Sequence, residues 1–233
     1  MAYDVVVFGA HPDDAEMGMG GTVAKLARAG RRVLLVSLTR GECGTYGSQA
    51  EREREAARAA EVLECDHRLL DFPDSRIEPD LEARERIMQL LRELQPRIVF
   101  APYHSNRFGH HDGMAHVDHL ATGVIVRDAV KLARMRGVER ESSSHDVQRL
   151  YFYMVPRDRY PTLLVDVTAE YAVLVRAIEA YESQMAIERH GRAILEILQT
   201  YRRYYGIAAG CEYAEPFLCE EALRADVDTL FSL

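Results

Sequence analysis

Short apolar runs alternate with helical runs from the N-terminus to about residue 135, and this alternation limits the possible folds more than any other feature. Tyr3–Ala10 (YDVVVFGA), Arg32–Thr39 (RVLLVSLT), His67–Phe72 and Arg97–Pro102 (RIVFAP) read as strands. The strongest of these runs lack the apolar–polar alternation of a strand with one wet face, as expected for strands covered on both sides. Helices are expected between and after them over Gly21–Ala29, Gln49–Leu63, Leu81–Leu94 and Leu120–Met135. In the last, Val124, Ile125, Ala129, Val130 and Leu132 form the inner face. Such a pattern builds right-handed βαβ units. The fold expected is α/β, a Rossmann-like, mostly parallel sheet with helices on both faces. The second half adds strands Leu150–Met154 and Leu163–Val167, then helices Ala169–Ala186 and Ala193–Tyr205. Residues 1–233 are read as one domain, with 1–135 as the Rossmann-like core and 136–233 completing it. Met135–His145 is expected to be an exposed loop.

Composition narrows the function. Of 233 residues 48% are apolar, ample for a core, and the net charge of −8 comes with no basic stripe. A nucleic-acid partner is therefore not expected, since phosphate binding needs concentrated positive charge. No run approaches the ~20 apolar residues of a membrane helix, so no membrane partner is expected. The start of the chain has no basic or cleavable leader, which points to a cytoplasmic location. Cys43, Cys65, Cys211 and Cys219 are scattered and form no CxxC pair, against both a disulfide framework and a cysteine zinc site.

In an open α/β sheet, ligands bind beyond the carboxyl ends of the strands. The first strand delivers FGAHPDDAEMGMGGT there, with His11, Asp13, Asp14 and Glu16. The second delivers TRGECGTYG, and the fourth PYHSNRFGHHDGMAHVDH. Three acids so close together repel one another unless a cation sits among them. His11 and Asp14 stand at i and i+3, so one turn can aim both at a point. A third ligand is open among His104, His110, His111, His116 and His119. Two histidines and one carboxylate, with room for water, make a catalytic zinc site. Asp13 is then left as general base for the metal-activated water. An imidazole held by a carboxylate, His116 by Asp118, would stabilise the oxyanion and protonate a leaving amine. Glu16 reads as a helix N-terminal carboxylate favoured by the dipole. GMGGT lacks the spacing of a phosphate loop and reads as close packing.

Taken together, AHPDD, TRGECGTYGS, RIVFAPY followed by HVDH, AYESQ and YAEPF resemble the LmbE/PIG-L zinc deacetylases over nearly the whole chain. Within that family the resemblance is closest to the bacterial branch acting on N-acetylglucosaminyl-malate in bacillithiol synthesis. It implies one Zn2+ per chain, with Fe2+ as the alternative, bound by His11, Asp14 and His119. It also implies Asp13 as base, His116 with its partner Asp118 beside the metal, and Arg52 as a substrate contact. Gly44, Tyr46 and Arg107 complete the candidate substrate-binding residues. The implied reaction removes the N-acetyl group from an N-acetylglucosamine-type small molecule, and the implied assembly is a homo-oligomer, a hexamer as in relatives. The chain departs from the family where relatives carry RHPDH: Ala115 and Val117 replace the arginine and proline, after the additional FGHHDGM. His145–Asp146 stands where an arginine is usual, and MAIERHGRAILE replaces a tyrosine- or glycine-rich loop. The metal chemistry thus transfers more firmly than the aglycone.

Other readings are a non-haem iron oxygenase, a two-metal phosphoesterase and a non-catalytic metal- or sugar-binding protein. The first commonly uses His-x-Asp/Glu on an all-β frame, and this chain has His-x-x-Asp in an α/β pattern. The second needs more ligands than HPDD and HVDH supply. The third differs from the enzyme in tolerating replacement of Asp13.

Overall fold

The computed structural model describes residues 3–105, 116–138 and 143–222. Five strands form one parallel sheet: β1 (Val5–Gly9), β2 (Val33–Ser37), β3 (Asp66–Leu69), β4 (Ile98–Pro102) and β5 (Arg149–Tyr153). Their order is β3-β2-β1-β4-β5, so the chain reverses direction of travel between β1 and β4. Val6 is in register with Leu34 on one side and Val99 on the other, and all three are buried. Burial on both faces accounts for the unbroken Val-Val-Val-Phe run.

Alternate strand residues feed two cores. Val6, Phe8, Leu34 and Val99 pack with α3 (Leu81–Leu94) and α4 (Val117–Ala133), through Ile87, Leu91, Ile125 and Ala129. Val5, Val7, Leu35 and Phe100 face α1 (Asp14–Arg28), α2 (Gln49–Leu63) and α5 (Tyr171–Glu179), meeting Met19, Val23, Leu63 and Ala177. Helix α2 starts on a capping box, in which the Ser48 hydroxyl accepts from Glu51 N and the Glu51 carboxylate accepts from Ser48 N.

Several elements differ from the sequence expectation. Helix α1 begins at Asp14, seven residues ahead of Gly21, because the polar HPDD run is itself the helix entry. The helix is broken at Met19, where φ is −153°. A regular ladder would pair Gly21 N–H with Met17 C=O. Here the Glu215 carboxylate accepts from Gly21 N (3.1 Å), Thr22 N (2.7 Å) and Thr22 Oγ1 (2.7 Å). Arg202 donates to Met17 O at 2.7 Å and to Glu215 Oε1 at 2.9 and 3.0 Å. A buried ion pair is thus wedged into the kink and satisfies the groups it frees. The expected helix 169–186 is α5 flanked by 3-10 turns at Thr168–Glu170 and Glu182–Ala186. A hairpin, β7 (Glu188–Arg189) and β8 (Arg192–Ala193), then leads into α6 (Ile194–Ala209). Its turn residues His190 and Gly191 have φ of 53° and 72°, the left-handed pair of a type I′ turn. The closing tail forms β9 (Ala214–Phe217), antiparallel to β6 (Leu163–Asp166). Among the described residues no helix is long and apolar enough to cross a membrane.

Candidate metal centre and active site

The carboxyl ends of β1 and β4, the two strands at the reversal point, bring His11, Asp13 and Asp14 to the start of α4. Asp14 is fixed first. Its Oδ2 accepts from Ala10 N and His11 N, both at 2.8 Å, and its Oδ1 lies 3.0 Å from His119 Nε2. Burial would raise the Asp14 pKa, but His119 and His11 outweigh it and hold the carboxyl well below its usual range. His11 Nδ1 lies 3.6 Å from the same carboxylate.

The other edge of the His11 ring meets two acids: Nε2 is 3.1 Å from Asp118 Oδ2 and 3.2 Å from Asp74 Oδ1. Burial opposes a charged imidazolium, yet Asp118, Asp14 and Asp74 together push its pKa up to about 12. Asp118 also accepts from Ser75 N (2.7 Å) and Ile77 N (3.3 Å). Asp74 accepts from Cys43 N at 2.8 Å, and its pKa falls to about 2 as His11 and that amide overcome its burial. The loops after β2 and β3 and the head of α4 therefore converge on one imidazole.

His116 is the N-cap of α4, its Nδ1 accepting from Asp118 N at 3.2 Å. Partial burial, with His11 and His119 alongside, lowers its pKa and favours the neutral ring. The His116–Asp118 pairing expected from sequence is thus arranged differently. The backbone of Asp118 holds His116 and its carboxylate holds His11, because the first turn of α4 directs that side chain inward. Ligand atoms of His11, His116 and His119 lie within 4.8 Å of one another, as do those of His11, Asp74 and Asp118. The buried His119 Nδ1 has no hydrogen-bond partner among the described residues. Three imidazoles beside a buried carboxylate fit a divalent cation.

Asp13 sits at φ 108°, a strained position for a residue with a side chain. Burial raises its carboxyl pKa to about 6, against the pull of Arg52 and with the help of Asp14. Arg52 donates to Asp13 Oδ2 at 3.1 Å and to the Pro12 carbonyl. It is only 3% exposed, so it faces Asp13 and not open solvent. Gly44 and Tyr46 lie on the loop before α2, where a Cβ on Gly44 would come 3.1 Å from Arg52 Nη1 and the Tyr46 carbonyl accepts from Gln184. Arg107 and Ala115 fall outside the described residues.

A cavity of about 670 Å³ opens beside this cluster. Asp13, Asp14, Met17 and His119 line it together with Met154, Arg157, the β7–β8 hairpin and the start of α6. Asp74, the hairpin residues Arg189 and His190, and the buried pair Glu16–Tyr181 (2.7 Å) were not anticipated from sequence. Only Asp74 carried a usable signal, an acid in DFPDSR just past a strand's carboxyl end.

A Rossmann-like sheet with an imidazole–carboxylate cluster at its reversal point places the chain among α/β proteins with a candidate metal site, and the sequence profile of one family, "PIG-L: GlcNAc-PI de-N-acetylase", matches residues 6–130. The chain belongs to this PIG-L/LmbE family and is a hydrolytic enzyme, a deacetylase. It is 30% identical over 222 residues to diacetylchitobiose deacetylase of Thermococcus kodakarensis, covering 88% of this chain and 78% of that one. A solved conserved protein of Thermus thermophilus is 36% identical with a TM-score of 0.86, over 97% of this chain and 98% of its own. The solved N,N'-diacetylchitobiose deacetylase of Pyrococcus horikoshii is 27% identical with a TM-score of 0.81, over 94% and 84%.

Proposed function

We propose that this chain removes the N-acetyl group from N-acetylglucosamine-type small molecules, with N-acetylglucosaminyl-malate among the candidates. The observation that carries this reading is the adjacency of Asp13 to Asp14 and His119 on one cavity wall, within a family whose members are named deacetylases. His11, Asp14 and His119 would hold one zinc or ferrous ion. When bound, the ion supplies Lewis acidity, lowering the pKa of water and polarising the amide carbonyl.

The chain's own residues do the rest. Asp13, ionised beside Arg52, takes a proton from the attacking water. Arg52 fixes both the Asp13 carboxylate and the Pro12 carbonyl, and so sets the aim of that base. Arg52 is accordingly assigned to Asp13 and not to the substrate. Asp13 then hands that proton to the departing amine, while neutral His116, its Nδ1 accepting from Asp118 N, keeps its Nε2–H as a donor to stabilise the carbonyl oxygen. Asp74 and Asp118 orient His11 by its far nitrogen, the usual support of a ligating histidine. Assembly as a homo-oligomer, a cytoplasmic location and substrate contacts from Gly44, Tyr46 and Arg107 belong to the same reading.

The test is direct. Metal-loaded protein is incubated with a panel of N-acetylglucosaminides, including N,N'-diacetylchitobiose and the malate conjugate, and free amine is read by mass spectrometry. Amine release that disappears with chelator supports the assignment. No release from any member, in protein with full metal content, contradicts it.

A further inference from the structure

We propose that Arg202 is a positioning residue for the reaction: through the carbonyl of Met17 it fixes the turn that carries Asp13 and Asp14. This rests on the roles given to those two acids above, and adds a residue of the last helix that acts only through others.

The first turn of α1 cannot hold its own shape. The break at Met19 separates Asp14–Gly18 from the rest of the helix, and a single turn is too short to be stable unaided. Asp13, just ahead of it, has a φ of 108°, a conformation that persists only where surrounding contacts enforce it. Those contacts run in series. Met17 N donates to Asp13 O at 2.8 Å, and Met17 O accepts from Arg202 Nη2 at 2.7 Å. Glu215 holds the same guanidinium by Nε and Nη2, and also takes Gly21 N and Thr22 N, the donors on the other side of the break. Met17 O is thereby kept from Gly21 N, its partner in an unbroken ladder. The remaining arm, Nη1, reaches Leu198 O of its own helix at 3.4 Å.

Arg202 and Glu215 are both buried, so the connection is stiff. Without it, Met17 O pairs with Gly21 N, the turn realigns with the rest of α1, and Asp13 and Asp14 swing with it. Asp14 meets His119 from another helix, and a displacement of about 1 Å at such a site costs about 10²-fold in rate.

A second buried carboxylate on α1 supplies the control. Glu170 pairs with Lys25 and Arg28 at the far end of the helix, beyond the break. It stabilises α1 without reaching the turn of Asp13, so a purely structural role for Arg202 would make the two equivalent.

Arg202→Lys keeps the charge beside Glu215 and replaces the planar fork with a point charge. Folding is verified by circular dichroism, and measurements are made well below the melting temperature. Zinc affinity, by competition against a chelator, should fall about 10-fold or more, the usual effect of losing the support of a ligand. On an N-acetylglucosaminide that wild type turns over, at saturating zinc, kcat should fall about 10-fold or more with little change in KM. In an Asp13→Asn background the same substitution should cost kcat several-fold less, since the group it aims has gone. Glu170→Gln should lower the melting temperature and leave zinc affinity and kcat within about twofold of wild type. Where Arg202→Lys does not fold, Glu215→Gln takes its place with the same readouts.

Wild-type zinc affinity and kcat in the folded variant overturn the inference, and so does an equal loss of zinc affinity in Glu170→Gln. If wild type releases amine from no substrate, the deacetylase reading falls and the zinc titrations alone decide: a loss confined to Arg202→Lys sustains its role, and no loss overturns it.

Discussion

Asp118 Oδ2 lies 3.1 Å from His11 Nε2 across 107 residues of sequence, and it is the carboxylate, unable to donate, that settles which ring nitrogen carries the proton. Asp118 and Asp74 hold the proton on Nε2, so when a metal ion displaces the second proton of the ring the nitrogen left to bind it is Nδ1, the atom 3.6 Å from Asp14. Asp118 is fully buried and braced by Ser75 N and Ile77 N, so it is a rigid support. Asp118→Asn should weaken divalent-metal affinity by about 10- to 100-fold, the usual effect of losing such a partner. Asp74→Asn should act in the same direction and less strongly, because Asp118 remains. Competition titration against a chelator measures both, and unchanged affinity in both variants would contradict the assignment of Nδ1 to the metal.

The pH dependence of folding should expose Glu16. Burial pushes its carboxyl up to about 7, while the Tyr181 hydroxyl at 2.7 Å works the other way. An unfolded glutamate loses its proton near 4.5, so between that pH and about 7 the folded chain holds a proton the unfolded chain has released. Stability from this group therefore falls as pH rises through that window, by at most about 3 kcal/mol. Glu16→Gln should remove that slope, so that the variant gains on wild type as pH rises from about 4.5 to 7 and holds a constant lead above it. Urea melts of metal-stripped protein from pH 5 to 8 give the comparison, and parallel profiles for the two proteins would contradict it.

The kink in α1 should be costly to unsupport. Arg202 and Glu215 are both buried and stand in for the missing turn of the helix. Arg202→Met leaves the Glu215 carboxylate buried with only backbone and hydroxyl donors. A destabilisation of about 3–5 kcal/mol is expected from breaking such a pair on one side. Adding Glu215→Gln should return part of it. Denaturant unfolding reads the values, and a loss under about 1 kcal/mol would show that the wedge matters little.

Much of the architecture was legible because it depends on local signals. The spans of α2 and α3 are those expected, since Ser48 with Glu51 and the Asp80 N-cap mark their starts in plain sequence. The strands of the parallel sheet were found within three residues at each end, and β1, β2 and β4 most plainly, because burial on both faces makes them uninterrupted apolar runs. What was missed depends on distant partners. The kink in α1 needs Glu215 and Arg202, nearly 200 residues away. Strand β9 needs β6 as its partner, and AEPF, with a proline inside, does not read as a strand alone. In the site, HPDD announced itself by crowding charge at a strand's end. The exchange of partners between His116 and Asp118 was hidden, since spacing reveals which residues meet but not which atom of Asp118 meets which ring.

The central claim is that Asp13 is the base and Asp14 a ligand, and Asp13→Asn tests it most directly. The variant should keep full metal content and a wild-type melting profile, because Arg52 can still donate to the amide oxygen. Its kcat on an N-acetylglucosaminide should fall by ~10²–10⁴ with little change in KM, and the acidic limb of its pH–rate profile should weaken or shift. Asp14→Asn, run alongside, should lose metal together with activity. A metal-replete Asp13→Asn protein with near-normal kcat would contradict the claim and move catalysis to His116.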